Sequence, residues 1–239
     1  MRGGISLGRR RAAALSLGIV GALTVGLGVP SALAGDPGLI VADDNFFSLN
    51  DYSVMEGQQL DFSNIGDSTH NATANDDGPD GKPLFRTGNV AGGGSGTTNG
   101  SRFLSIGEYD FVCTIHPSEM QATLNVIDNP SGGPLARPEI ALKVKSKKLE
   151  KVVKSGKLKV KVSAPGSTDA DGVSLSAKKG RKGITKKANL NVNAGDSKTA
   201  KLKLKKSAVE KLAELEKAKV KVTAEVDFGS PAKASKKLK

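Results

Sequence analysis

The chain reads as all-β, two sandwiches in series behind an N-terminal leader, and three observations predict it. Between residues 35 and 128 short apolar runs recur between Gly, Asn, Asp and Pro turns, and none of them carries a helical period. Beyond residue 139 aliphatic side chains alternate with lysines, the period of a strand with one buried and one solvated face. Between these regions the charge changes sign. Residues 35–128 hold 14 acidic and 3 basic side chains, residues 129–239 hold 10 and 29, and the net charge of +12 conceals the opposition.

The N-terminus has the make-up of an export signal. Arg9-Arg10-Arg11 precedes an apolar, uncharged run over residues 12–29, and Ala32-Leu33-Ala34 is a small-x-small cleavage site. Residues 1–34 are therefore expected to be removed, leaving a soluble protein outside the cytoplasm: extracellular, at the cell surface or periplasmic. An uncleaved anchor is the alternative, because the run is long enough to span a bilayer. The paired arginines leave a twin-arginine route open.

In residues 35–128 strands are expected at Leu39-Ile40-Val41, Tyr52-Ser53-Val54, Leu60-Asp61-Phe62, Arg102-Phe103-Leu104, 109–113 and Leu124-Asn125-Val126. Residues 75–81 read as an acidic, turn-rich loop and residues 91–100 as a flexible glycine-rich one. The Pro/Gly-rich segment 129–138 coincides with the break in charge and is expected to link two domains of about 95–100 residues, each large enough for one small core. In residues 139–239 the strong strands are Leu142-Lys-Val-Lys145, Leu158-Lys-Val-Lys-Val162, Leu202-Lys-Leu-Lys205 and Val220-Lys-Val222, with weaker ones at 173–177 and 190–192. Ser207-Ala-Val-Glu210 has the pattern of a capping box, opening a short helix with Val209, Leu212 and Ala213 on its apolar face. The rhythm resembles the Ig-like β-sandwich modules appended to many secreted bacterial proteins.

The chemistry is concentrated in Tyr109-Asp-Phe-Val-Cys113-Thr-Ile-His116-Pro-Ser-Glu-Met120, which contains the one cysteine of the chain and one of its two histidines. Alternation puts Tyr109, Phe111 and Cys113 on one strand face, and the chain turns at His116-Pro117. The other histidine is His70, in Ser68-Thr69-His70-Asn71-Ala72. Each residue alone has an ordinary interpretation: Cys113 as a small buried hydrophobe, Met120 as core filler, His70 as a satisfied histidine. A lone cysteine in an exported chain forms no internal disulfide, so it is an idle thiol or a ligand. Two imidazoles, a thiolate and a weak thioether are together the donor set that selects copper. One cysteine excludes an iron–sulfur cluster. Structural zinc is disfavoured because it takes four strong ligands.

With His70-Asn71, an aromatic strand ending in Cys113, Cys-x-x-His to His116 and Met120 close behind, residues 39–127 resemble the cupredoxins, the blue-copper proteins of plastocyanin and amicyanin type. The resemblance implies a Greek-key β-sandwich and one type 1 copper ion, with His70, Cys113 and His116 as equatorial ligands and Met120 as the weak axial one. The three residues between His116 and Met120 are one more or one fewer than in those relatives, which leaves Gln121 as an alternative axial ligand. The resemblance also implies that the Asn71 N–H donates to the sulfur, and that the Asn71 side chain and Thr114 tie the ligand loops together.

The function expected is an exported one-electron carrier rather than an enzyme, because no histidine remains for a second copper centre. The alternatives are a copper storage or delivery protein without redox turnover, and a structural or adhesive surface protein. Expected partners are redox proteins and, through the basic half, an anionic wall polymer or a membrane surface. Nucleic acid is not expected: the lysines alternate along strands with almost no aromatic between them.

Overall fold

Side chains alternate between buried and exposed along eight short strands of the first half: β1 (Leu39–Asp43), β2 (Phe46–Phe47), β3 (Asp51–Met55), β4 (Leu60–Asn64), β5 (Thr73–Ala74), β6 (Ser95–Thr98), β7 (Gly107–Val112) and β8 (Gln121–Ile127). The computed structural model describes residues 38–239, so the export-signal reading of residues 1–34 lies outside them. One sheet has the order β2-β1-β4-β6 and the other β3-β8-β7-β5. Within them β1 runs parallel to β4, and β3 parallel to β8. The buried members of each strand, such as Ile40 and Ala42, Tyr52 and Val54, Leu60 and Phe62, or Leu124 and Val126, close a single core. Phe111 lies at its centre, 5.0 Å from the Phe47 ring, 5.9 Å from Phe85 and 6.0 Å from Tyr52, centroid to centroid.

The second half contains β9 (Ala141–Val144), α1 (Leu149–Ser155), β10 (Lys157–Ser163), β11 (Ala170–Lys179), β12 (Lys182–Gly183), β13 (Ala188–Val192), β14 (Ser197–Lys203), α2 (Lys206–Ala213), β15 (Ala218–Val226) and β16 (Gly229–Leu238). One sheet is β14-β10-β9; the other is β12-β11-β15-β16, with β13 also paired to β11. Its core, drawn from residues 144–238, shares no residue with the first. The described chain is all-β apart from two short helices and one 3-10 turn.

Several expectations need correction. Arg102-Phe103-Leu104 is not a strand: Ser101–Phe103 is a 3-10 turn entered through Gly100 at φ 98°. Ser101 Oγ accepts from the Leu60 N–H at 3.0 Å, which holds this turn against β4. The glycine-rich stretch 91–100 is not wholly flexible, since β6 pairs with β4 from Leu60↔Thr98 to Ser63↔Ser95. An open sheet edge overrides poor strand propensity here. The capping box is not formed: Lys205 is the N-cap of α2, no side chain caps the helix, and Ser207 lies inside it. Ala208 and Leu212, four residues apart, are the buried side chains of the helix, and Ala213 is exposed. β16, with Ala, Ser, Lys and Pro231 and few aliphatics, left no apolar alternation to read. It is an edge strand, where proline is tolerated.

The two halves meet at the β15–β16 turn. Phe228, at φ 62°, sets its ring 5.9 Å from that of Phe103 and beneath the Arg86 guanidinium, 4.4 Å from its centroid. Its N–H donates to Asp80 Oδ2 at 3.0 Å. Asp227 pairs with Lys82 at 2.6 Å and with Arg86 at 3.3 Å. Segment 129–138 has no regular structure, yet it is tied down: Asn129 Nδ2 donates to Glu56 O and the Leu135 N–H to Arg102 O.

Candidate metal centre

Cys113 follows directly on β7, whose ladder with β8 runs to Val112↔Gln121. One more bond, from the Cys113 N–H to Met120 O at 3.0 Å, closes the loop 113–120 at its base. Inside the loop the His116 N–H donates to Cys113 O at 3.1 Å, and His116 O accepts from Met120 and Glu119. This is a tight turn with its own hydrogen bonds, and Pro117, which has no N–H to satisfy, sits at its tip. Imidazole and thiol are thereby brought together within three residues.

His70 comes from the β4–β5 connection. Its backbone exchanges two hydrogen bonds with Val90. Asn64, buried at the end of β4, donates from its side chain to Ser68 O and Val90 O, and Asp44 accepts from the Asp67 and Ser68 N–H groups. Sequence reasoning missed Asn64 and Asp44 as supports. The one available signal was an asparagine where the β4 alternation called for a buried side chain.

The two segments converge. His70 Nδ1 lies 3.8 Å and His116 Nδ1 4.0 Å from Cys113 Sγ, and ligand atoms of all three residues fall within 4.8 Å of one another. An ion about 2.3 Å from a thiolate and about 2.0 Å from an imidazole nitrogen, in a trigonal plane, sets sulfur and nitrogen about 3.7 Å apart. The spacing is too long for strong hydrogen bonds and suited to three ligands sharing one ion. His70 and Cys113 are fully buried and His116 half-buried, its ring 5.0 Å from that of His70. Burial pushes the His70 imidazole below its usual range and the nearby His116 adds to this, while Asp44 and Asp43 oppose it. A depressed pKa keeps the ring neutral, the form that ligates a metal. His70 Nε2 is buried without a hydrogen-bond partner, so no protein acceptor fixes the tautomer. A cation on Nδ1 would fix it.

Asn71 lies between the two segments. Its Nδ2 donates to Thr114 Oγ1 and Asn89 Oδ1, both at 2.8 Å, and its Oδ1 accepts from the Thr114 N–H at 2.9 Å. Among the described residues no backbone N–H is hydrogen-bonded to Sγ, so the Asn71 bond implied by the resemblance is absent. Met120 is fully buried in the core cluster that also contains Cys113. Gln121 is exposed, and its amide donates to Pro117 O at 2.8 Å. Residues 70, 113 and 116 thus offer one thiolate and two imidazoles, a set that could hold a metal ion.

No protein-family model and no curated protein matches the sequence. Among solved structures, the reduced Cu(I) form of an amicyanin mutant is similar at 18% identity over 40% of this chain and 87% of its own, with a TM-score of 0.32. Amicyanin from Paracoccus versutus is similar at 22% identity, covering 42% of this chain and 86% of its own, with a TM-score of 0.32. A purple cupredoxin from Nitrosopumilus maritimus matches at 22% identity over 38% of this chain and all of its own, with a TM-score of 0.31.

Proposed function

We propose that this protein is an exported one-electron carrier, whose first domain, residues 35–128, is a cupredoxin holding a single type 1 copper ion. The observation that carries the reading is the convergence of His70 Nδ1, Cys113 Sγ and His116 Nδ1, from two loops 43 residues apart, at 3.8 and 4.0 Å from the sulfur. Copper bound there would supply a Cu(I)/Cu(II) couple. His70, Cys113 and His116 would hold it, with the buried Met120 as a weaker fourth donor.

The chain's own residues suit electron transfer better than catalysis. Cys113 and His70 are sealed from solvent, which excludes water and substrate from one side of the group. His116 is the half-buried ligand, with Ile115 exposed beside it, and is the point at which a redox partner protein would exchange an electron. Both histidines of the chain are used in this group, leaving none for a second copper centre. Interlocked hydrogen bonds through Asn71 and Thr114 hold the ligand loops in one arrangement, which limits reorganisation when the metal changes charge. Residues 1–34 act as the export signal in this reading, and residues 139–239 form a basic Ig-like module. No described helix is long and apolar enough to cross a membrane.

The test is the visible and EPR spectrum of the copper-loaded protein beside its Cys113→Ser variant. Intense thiolate-to-copper charge transfer is expected in the first and not in the second. A colourless Cu(II) complex of the unaltered protein would sink the proposal. Reversible one-electron reduction by a donor protein would separate a carrier from a storage protein.

A further inference from the structure

We infer that the outer face of sheet β14-β10-β9 binds a linear phosphodiester polyanion of the cell envelope, one of the polyol-phosphate class. The registers place lysine against lysine across this sheet: Lys157↔Lys203, Lys159↔Lys201 and Lys161↔Lys143. All are exposed except the half-buried Lys161 on the central strand. The three strands carry no acidic residue, and among the described residues none of these lysines is in an ion pair. Like charges directly opposite in neighbouring strands are destabilising. The other sheet also opposes lysines, at Lys219↔Lys237 and Lys178↔Lys221, but its strands carry Asp171 and Glu225, so the face free of acidic residues is the one suited to a polyanion.

The spacing indicates the shape of the ligand. Along β10 the lysines recur at every second residue, about 6.8 Å apart, and adjacent strands are about 4.8 Å apart. That is a flat lattice of ammonium groups on flexible stems, suited to a chain with regularly repeated single charges. The only aromatic residue beyond 128 is Phe228, and it is packed against the first half, so no ring is available to stack on bases. Every exposed large hydrophobic among the described residues lies before residue 139, so this half also lacks side chains to insert into a bilayer. What fits is a regularly charged backbone without bases or acyl chains, as a polyol phosphate has. Placing that polymer in the envelope rests on the export reading above; the chemistry of the lysine face does not.

The test measures binding of the whole chain to poly(glycerol phosphate), to a single-stranded oligonucleotide and to phosphatidylglycerol vesicles across a salt series. The polymer is expected to bind tightest, with a log–log salt slope of about −4 if six lysines each neutralise a phosphate. A K159Q/K161Q/K201Q variant should lose at least tenfold in affinity and about half the slope. Its thermal midpoint should rise as opposed charges are removed. The K219Q/K233Q/K237Q variant, with the same charge change on the other sheet, should bind nearly as well as the unaltered protein. No binding at low salt, equal losses in the two variants, or preference for oligonucleotide or vesicles would each overturn the inference. Cell fractionation tests export separately, so failure of one reading is distinguishable from failure of the other.

Discussion

His70 has no solvent exposure and no partner for Nε2, and both facts disfavour its protonated form. Its folded pKa therefore lies below that of the unfolded chain, about 6.5 for a free histidine. A depressed pKa of this kind contributes stability that is fully present above about pH 6.5 and is lost as pH falls toward the folded value. The metal-free protein should thus show a falling thermal midpoint between pH 7.5 and 5.0, and His70→Gln should flatten part of that fall. Calorimetry across the range checks it, and an equal fall in both proteins would mean that the ring is not the source. Cys113 has a corresponding position. Buried and the one thiol of the chain, it is shielded from oxidants and open mainly toward the two imidazoles.

At the level of elements, the site depends on two loops that leave paired ends of neighbouring strands, β5 and β7, joined at Thr73↔Val112. Beyond that ladder the side-chain link is Asn71, which both donates to and accepts from Thr114. Asn71→Ala leaves the Thr114 N–H without that acceptor and should cost about 1–3 kcal/mol in urea unfolding of the metal-free protein. Asn71→Asp keeps the acceptor and should recover part of the loss; a variant as stable as the parent would deny the link its importance. Strands with clean alternation, such as β4, β8, β10 and β15, were legible because one buried face imposes period two on the sequence. Those that failed had another origin. β6 exists because β4 offers it an edge, and residues 101–103 turn because Ser101 and Gly100 satisfy local needs. Neither cause leaves a periodic trace.

Across the whole molecule, the contact between halves uses the minority charge on each side. Lys82 and Arg86, two of the three cations in residues 35–128, meet Asp227, an acid of the basic half. The Lys82 pair is exposed and worth about 0–1 kcal/mol, while Arg86 is half-buried in its pair. Phe228 contributes more, inserted between Phe103 and Arg86, and a Cβ on Gly100 would run into its ring. Phe228→Ala should therefore loosen the junction and speed proteolytic cleavage within 129–138, while the visible spectrum of the copper-loaded protein stays unchanged. Unaltered cleavage kinetics would show that the junction does not depend on this ring. Spending the acidic half's few cations here leaves its remaining surface almost purely anionic.

The donor types, their order along the chain, the alternating strands and the opposed charges of the two halves were all readable from residue identity, because ligand chemistry, burial and charge are properties of side chains and their period. That His70 reaches the sulfur, that Asn64 and Asp44 brace its loop, and that Phe228 docks one half on the other came from folding alone. Those contacts join residues dozens to more than a hundred positions apart, and no local pattern encodes a distance that is closed only when two sheets pack.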